Sequence, residues 1–178
     1  MRGREGSAEV CKHLYDGLKR HRFGYEFELV SSVRGHQTIR TPTQITTHKT
    51  ATCLDIVCLF ASLLEAAQQH PLLVILEGDG SAHAVAGYRV RGEPPLDDPS
   101  LWDVRGAIAR GDVVLFEATG AIEADAPVGA EMPGERDEKL LSYADAVAAA
   151  SRMLQSEIRL RHFVDISVLR VRNMESAS

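Results

Sequence analysis

The chain has 178 residues, a formal net charge of −5 and a pI of about 5.8. Hydrophobic residues make up 44% and charged residues 25%, the balance of one globular domain with a sizeable core, which excludes disorder, collagen and coiled coil. Lys and Arg are scattered in an acidic whole, which argues against a binder of nucleic acid or of an anionic membrane surface.

The opening MRGREGSAEV lacks the apolar stretch of a signal peptide. Residues 1–7 read as a flexible polar tail, 8–173 as the domain and 174–178 as a second tail. Over 8–20 the apolar Val10, Leu14 and Leu18 recur at helical spacing, and Cys11 joins that apolar side. Residues 23–33 alternate in part, with Phe23, Tyr25 and Phe27 opposite Glu26 and Glu28, and predict an extended strand. Residues 34–49 are polar and Thr-rich.

The strongest helix signal lies over 52–69. Thr52 is suited to cap it, and Asp55 completes a weaker capping box and favours the positive end of the dipole. Inside, Leu54, Ile56, Val57, Cys58, Leu59, Phe60, Leu63 and Leu64 leave little polar face, so this helix is expected at the centre of the core. Pro71 is expected to end it. Strands are predicted at 72–77, 83–90, 113–118 and 163–171, with a turn at 78–81, a surface loop at 92–98 and a mobile loop, rich in Gly, Pro and acids, at 122–139. A helix is predicted at 143–158, its packed side carrying Ala146, Ala149, Ala150, Met153 and Leu154. The longest apolar stretch, 54–67, is interrupted by Asp55 and Glu65 and is too short to span a bilayer. Three cysteines make no disulfide framework. Together these features predict an α+β protein, soluble, reduced and cytoplasmic, whose central helix lies on a mostly antiparallel sheet.

Cys53 is the residue that chemistry singles out. It falls on the first turn of the buried helix, where unpaired N–H groups and the dipole favour a thiolate; the competing reading is an inert core cysteine. A nucleophilic thiolate needs a base. Of His13, His21, His36, His48, His70, His83 and His162, only His83 opens an apolar strand directly after a Gly-rich turn. The imidazole in turn needs an acceptor to fix its tautomer. If strands 83–90 and 113–118 pair antiparallel, His83 comes beside Glu117 on one face. A surface histidine and a strand-end acid facing solvent are the plainer alternatives. Cys53 and Cys58 lack partners at ligand spacing, so a structural zinc is not expected. The 78–81 turn lacks the end of a phosphate loop, and the aspartates at 97, 98, 103 and 112 are too dispersed for a calcium loop. No metal or cofactor is expected.

The run Thr52-Cys53-Leu54-Asp55, its apolar helix, then His83-Ala84 and Phe116-Glu117-Ala118-Thr119, resembles the transglutaminase-like superfamily of papain-fold cysteine enzymes. Residues 37–42, Tyr143-Ala144-Asp145-Ala146-Val147 and Phe163-Val164-Asp165-Ile166 resemble a bacterial branch often joined to helicase-like or conflict-system proteins. The resemblance runs over about 10–172. The chain departs from that branch in having Ala51 rather than Gly two before the cysteine, Val85 rather than an aromatic two after the histidine, and Glu rather than the commoner Asp as the acid. The resemblance implies a papain/transglutaminase-like fold and a triad in which Cys53 is the nucleophile, His83 the base and then acid, and Glu117 the orienting carboxylate. It also implies an oxyanion donor in the Cys53 backbone N–H, with Gln37 as a second donor; the alternative for Gln37 is a loop contact to Arg40 or solvent. The implied activity is a cysteine peptidase-like hydrolase acting on a protein or peptide amide. An acyl transferase, transglutaminase or deamidase of the same fold, or a non-catalytic docking module, are the other readings. The implied partners are a protein or peptide substrate and other domains or subunits of a larger bacterial system.

Overall fold

A computed structural model of the chain describes residues 2–27, 38–78, 81–123 and 140–175. It is a mixed helix and sheet protein. A four-stranded sheet is built from β3 (His70–Gly78), β4 (Ser81–Arg89), β5 (Val113–Phe116) and β6 (Arg159–Asp165), in the order β5-β4-β3-β6. Every pairing in it is antiparallel. A second, two-stranded element joins β1 (Gly24–Tyr25) in parallel to β2 (Thr50–Ala51). Among the described residues the helices are α1 (Arg2–Lys19), α2 (Pro42–His48), α3 (Cys53–Ala66), α4 (Leu101–Arg110), α5 (Tyr143–Gln155) and α6 (Ile166–Glu175), and a 3-10 turn spans Ala118–Ala121. Among the described residues, no helix is long and apolar enough to cross a membrane.

The sheet separates two cores. On one face, Ala84, Ala86 and Tyr88 of β4 meet Ile56, Phe60 and Leu64 of α3 and Cys11 and Tyr15 of α1. On the other, Leu72, Val74 and Leu76 of β3 and Val85 of β4 meet α4 and α5 through Val104, Ala107, Ala150 and Leu154. This is the period-2 alternation of a strand buried on both sides. The helix α3 is the central one: Ile56, Val57, Phe60 and Leu64 are fully buried. Its start is as expected, with the Thr52 hydroxyl accepting from the Asp55 N–H at 3.2 Å and the Asp55 carboxylate accepting from the Thr52 N–H at 3.0 Å.

Several boundaries differ from expectation. The first helix begins at Arg2, where a polar tail is predicted, and its buried line runs through Ser7, Cys11, Tyr15 and Leu18 rather than through Val10 and Leu14. Of the strand predicted over 23–33, the described residues 23–27 hold only Gly24–Tyr25 in a strand; its remainder from residue 28 lies outside the described residues, as do Asp79, Gly80 and most of the 122–139 loop. The helix α3 stops at Ala66, and Pro71 stands inside β3, where it pairs opposite Tyr88. The turn is made earlier, by Gln68 at φ 55°, so no proline is needed to end the helix. The last strand covers Arg159–Asp165, six residues before its predicted end, and 166–171 are helical. The reason is Asp165: its carboxylate accepts from the Ser167 N–H at 3.0 Å, capping α6. The second tail accordingly begins within a helix, since α6 runs to Glu175. Two helices, α2 and α4, are unpredicted. Both carry capping boxes, Thr41 with Gln44 and Ser100 with Asp103, and α4 closes on Gly111 in the left-handed region at φ 74°.

Candidate active site

Strand pairing brings two of the predicted residues together. The β4–β5 register sets Gly87 opposite Leu115 and Ala86 opposite Phe116. Carried one step outward, it puts Val85 opposite Glu117, and His83 one diagonal step away on the same face. There the His83 Nε2 lies 2.6 Å from the Glu117 Oε2. The imidazole is about one-third exposed and the carboxylate nearly buried, at 34% and 7%.

Glu117 is held on every side. Its other oxygen accepts from the Thr119 hydroxyl at 2.6 Å and from the Thr119 N–H at 2.9 Å. Its backbone N–H donates to the Ala146 carbonyl at 2.9 Å, and its own carbonyl accepts from the Tyr15 hydroxyl at 3.4 Å. Burial pushes the carboxyl up, but the bond and charge of His83 and the two bonds from Thr119 outweigh it and hold Glu117 below the usual carboxylate range. An ionised carboxylate only accepts, so the proton of this contact sits on Nε2 of the ring and the lone pair of a neutral imidazole is on Nδ1.

Cys53 opens α3, half-buried against the first core. The start of α3 is braced from outside the helix. The Asp55 carboxylate, itself buried, accepts from the Arg40 N–H at 2.8 Å. The Arg40 guanidinium reaches Glu26 at 2.8 Å and the Thr50 hydroxyl at 3.3 Å. Four segments of chain thereby converge one turn from the thiol: Glu26 after β1, Arg40 before α2, Thr50 in β2, and Asp55. Gln37 lies outside the described residues.

The other two thiols are in unreactive settings. Burial pushes the Cys11 thiol up to about 12, against a lowering bond from Tyr143. Burial, and then the Asp55 charge, push Cys58 up to about 11. Asp103 and Asp112, the other acids near β5, serve elsewhere: Asp103 caps α4, and Asp112 accepts from Arg110 at 2.7 Å. Among the described residues, no group of three or more His, Cys, Asp or Glu side chains is placed to hold a metal ion.

The residue that sequence reasoning missed is Thr119. It was visible as the Thr of Phe116-Glu117-Ala118-Thr119, an acid followed two residues later by a hydroxyl, which is the spacing of a local side-chain turn. Arg40 was visible within the 37–42 run, but only as a loop contact for Gln37 and not as the partner of Asp55. No family model matches the chain, nor does any curated protein or solved structure.

Proposed function

We propose that this chain is a thiol hydrolase of papain/transglutaminase-like fold that cleaves a protein or peptide amide through Cys53, His83 and Glu117. The observation that carries the reading is the His83–Glu117 contact at 2.6 Å. An imidazole fixed by a buried, ionised carboxylate through Nε2 keeps Nδ1 as a base, the arrangement that a thiol nucleophile needs. The place of Cys53 on the first turn of α3 supports it, because the positive end of the helix dipole favours a thiolate there.

On this reading His83 Nδ1 takes the Cys53 proton. The thiolate forms a bond to the amide carbon, and the carbonyl electron pair moves to oxygen, which the Cys53 backbone N–H steadies. The oxyanion collapses, the C–N bond breaks, and the imidazolium gives its proton to the departing amine. Water then attacks the thioester, its proton passes to His83, and the carboxylate and the thiolate are released. Glu117 moves no proton; it holds the ring and balances the imidazolium. With an amine in place of water, the same steps give acyl transfer.

A second reading rests on strand alternation. His83 alternates with Val85, whose side chain belongs to the core on the sheet face away from α3. A ring kept to that side serves a docking module, with the dyad as a polar anchor and no nucleophile.

Labelling with iodoacetamide across a pH series separates the two. The hydrolase requires Cys53 to react much faster than Cys11 and Cys58 and to keep reacting below pH 7, and His83→Ala to return its profile toward an ordinary thiol, near about 8.5. If Cys53 labels no faster than the other two, or His83→Ala changes nothing, the docking reading stands in its place.

A further inference from the structure

Away from the dyad, a groove of about 500 Å³ lies between β6 and the start of α4. Leu101, Leu160 and Phe163 give it apolar walls, Arg159 and Arg161 also line it, and Asp98 is its single acid. In a chain of net charge −5 this is a local excess of positive charge. That charge is only partly offset within the chain. Arg159 has no ion-pair partner among the described residues, and Arg161 comes only within 3.9 Å of Glu77, both being largely exposed.

The strand beside the groove is also half-used. β6 pairs with β3 alone and ends the sheet, so its other edge carries no strand among the described residues. The register slips between Ile75 and Leu76, which leaves Arg161 as the extra residue of a bulge. Charges and bulges on an edge guard against unwanted pairing. A guard does not need a hollow beside it, however, and this edge has one, polar for the most part with apolar patches at Leu101, Leu160 and Phe163. Trp102 follows the groove residue Leu101 on α4 and is 81% exposed.

We propose that this groove is a docking site for an extended acidic peptide of a partner protein, added as a strand along the free edge of β6. Main-chain bonds to the edge supply affinity, and alternate side chains supply the selection. Apolar residues settle against Leu160 and Phe163, and carboxylates face Arg159 and Arg161. The site owes nothing to the thiol chemistry.

The test uses a nine-residue peptide of alternating valine and glutamate, with the same peptide carrying lysine for glutamate as its control. Trp102 is the only tryptophan and follows the groove residue Leu101, so its emission is one readout of binding nearby, and calorimetry reads binding should the indole stay silent. The acidic peptide is expected to bind saturably and the lysine peptide not at all. Arg159→Glu with Arg161→Glu, both at exposed positions, is expected to weaken binding at least tenfold with the circular dichroism spectrum unchanged. Methylating alternate backbone amides is expected to abolish binding in one register and spare it in the other. Absence of saturable binding, equal binding of the lysine peptide, indifference to the charge reversal, or binding that survives methylation in both registers overturns the proposal. None of these outcomes bears on Cys53 labelling, so the two readings fail separately.

Discussion

The Glu117 carboxylate divides its two oxygens between partners of different kinds. Oε2 meets the His83 ring at 2.6 Å, and Oε1 takes both donors of Thr119. The acid is thus clamped on one side by its own chain, two residues on, and offers the other side to a strand thirty-four residues back. A carboxylate so fixed orients an imidazole without itself moving, because its own rotamer is locked by local bonds.

Replacing Glu117 by Gln keeps the shape and removes the charge. Hydrogen bonds to charged groups contribute about 1.5–3 kcal/mol, so hydrolysis of a peptide amide is expected to fall by about 10- to 100-fold, with the fold retained by circular dichroism. Full activity in Glu117→Gln, together with loss in an Asp103 or Asp112 variant, would mean that the acid lies elsewhere.

Thr119 acts through Glu117 and is a positioning residue. Thr119→Ala removes the hydroxyl donor and leaves the backbone N–H. The expected loss is about 3- to 10-fold, that of one ordinary hydrogen bond. The pH profile makes the sharper test. Thr119 helps to hold the Glu117 carboxyl low, so its loss lets that value rise, and the acid limb of the activity profile moves to higher pH. Thr119→Ser is expected to restore both.

Gly87 is required by the β4–β5 pairing. A Cβ built there would lie 2.3 Å from the Leu115 Cδ2 and 2.6 Å from the Val114 carbonyl oxygen. Leu115 can turn, but the strand backbone cannot give way without breaking the register that delivers Glu117 to His83. Gly87→Ala is expected to cost about 1–3 kcal/mol, as overpacking does, measured by urea unfolding. A stability equal to wild type would contradict so close an approach of the strands.

Asp165 pairs with Arg89 at 2.9 Å, and both side chains are buried. Burial pushes its carboxyl up, but the Ser167 and Arg89 bonds outweigh it and hold the carboxyl low. A depressed carboxylate stabilises the fold above its ordinary value, about 3.9, and that stability fades as pH falls through the folded value. Asp165→Asn strands a buried guanidinium and is expected to cost about 3–5 kcal/mol at neutral pH. The gap from wild type should narrow in acid, where Asp165 itself protonates. A gap independent of pH would show that charge has no part in it.

Local chemistry in the sequence was sufficient for the elements that the site stands on. Thr52 and Asp55 announced the start of α3 because a capping box satisfies orphan N–H groups within four residues, whatever the rest of the chain does. The apolar surface of that helix announced its burial, because nothing else removes so much of it from water. The start of α6 and the existence of α2 and α4 were written in equally local signals, Asp165 with Ser167 and two further capping boxes; the polar, Thr-rich run of 34–49 concealed α2, and the β-branched Val164, Ile166, Val168 and Val171 made the start of α6 read as strand. What only the tertiary structure decided is which side chains meet. The contact of His83 with Glu117 depends on a strand register, and a slip of one residue would have turned every side chain of β5 to the other face. The join of Arg40 to Asp55, and the hollow beside β6 with its exposed arginines, arise between segments distant in sequence. Neither has a period or a spacing from which to be read, because the free energy that sets them belongs to the packed core and not to the chain near them.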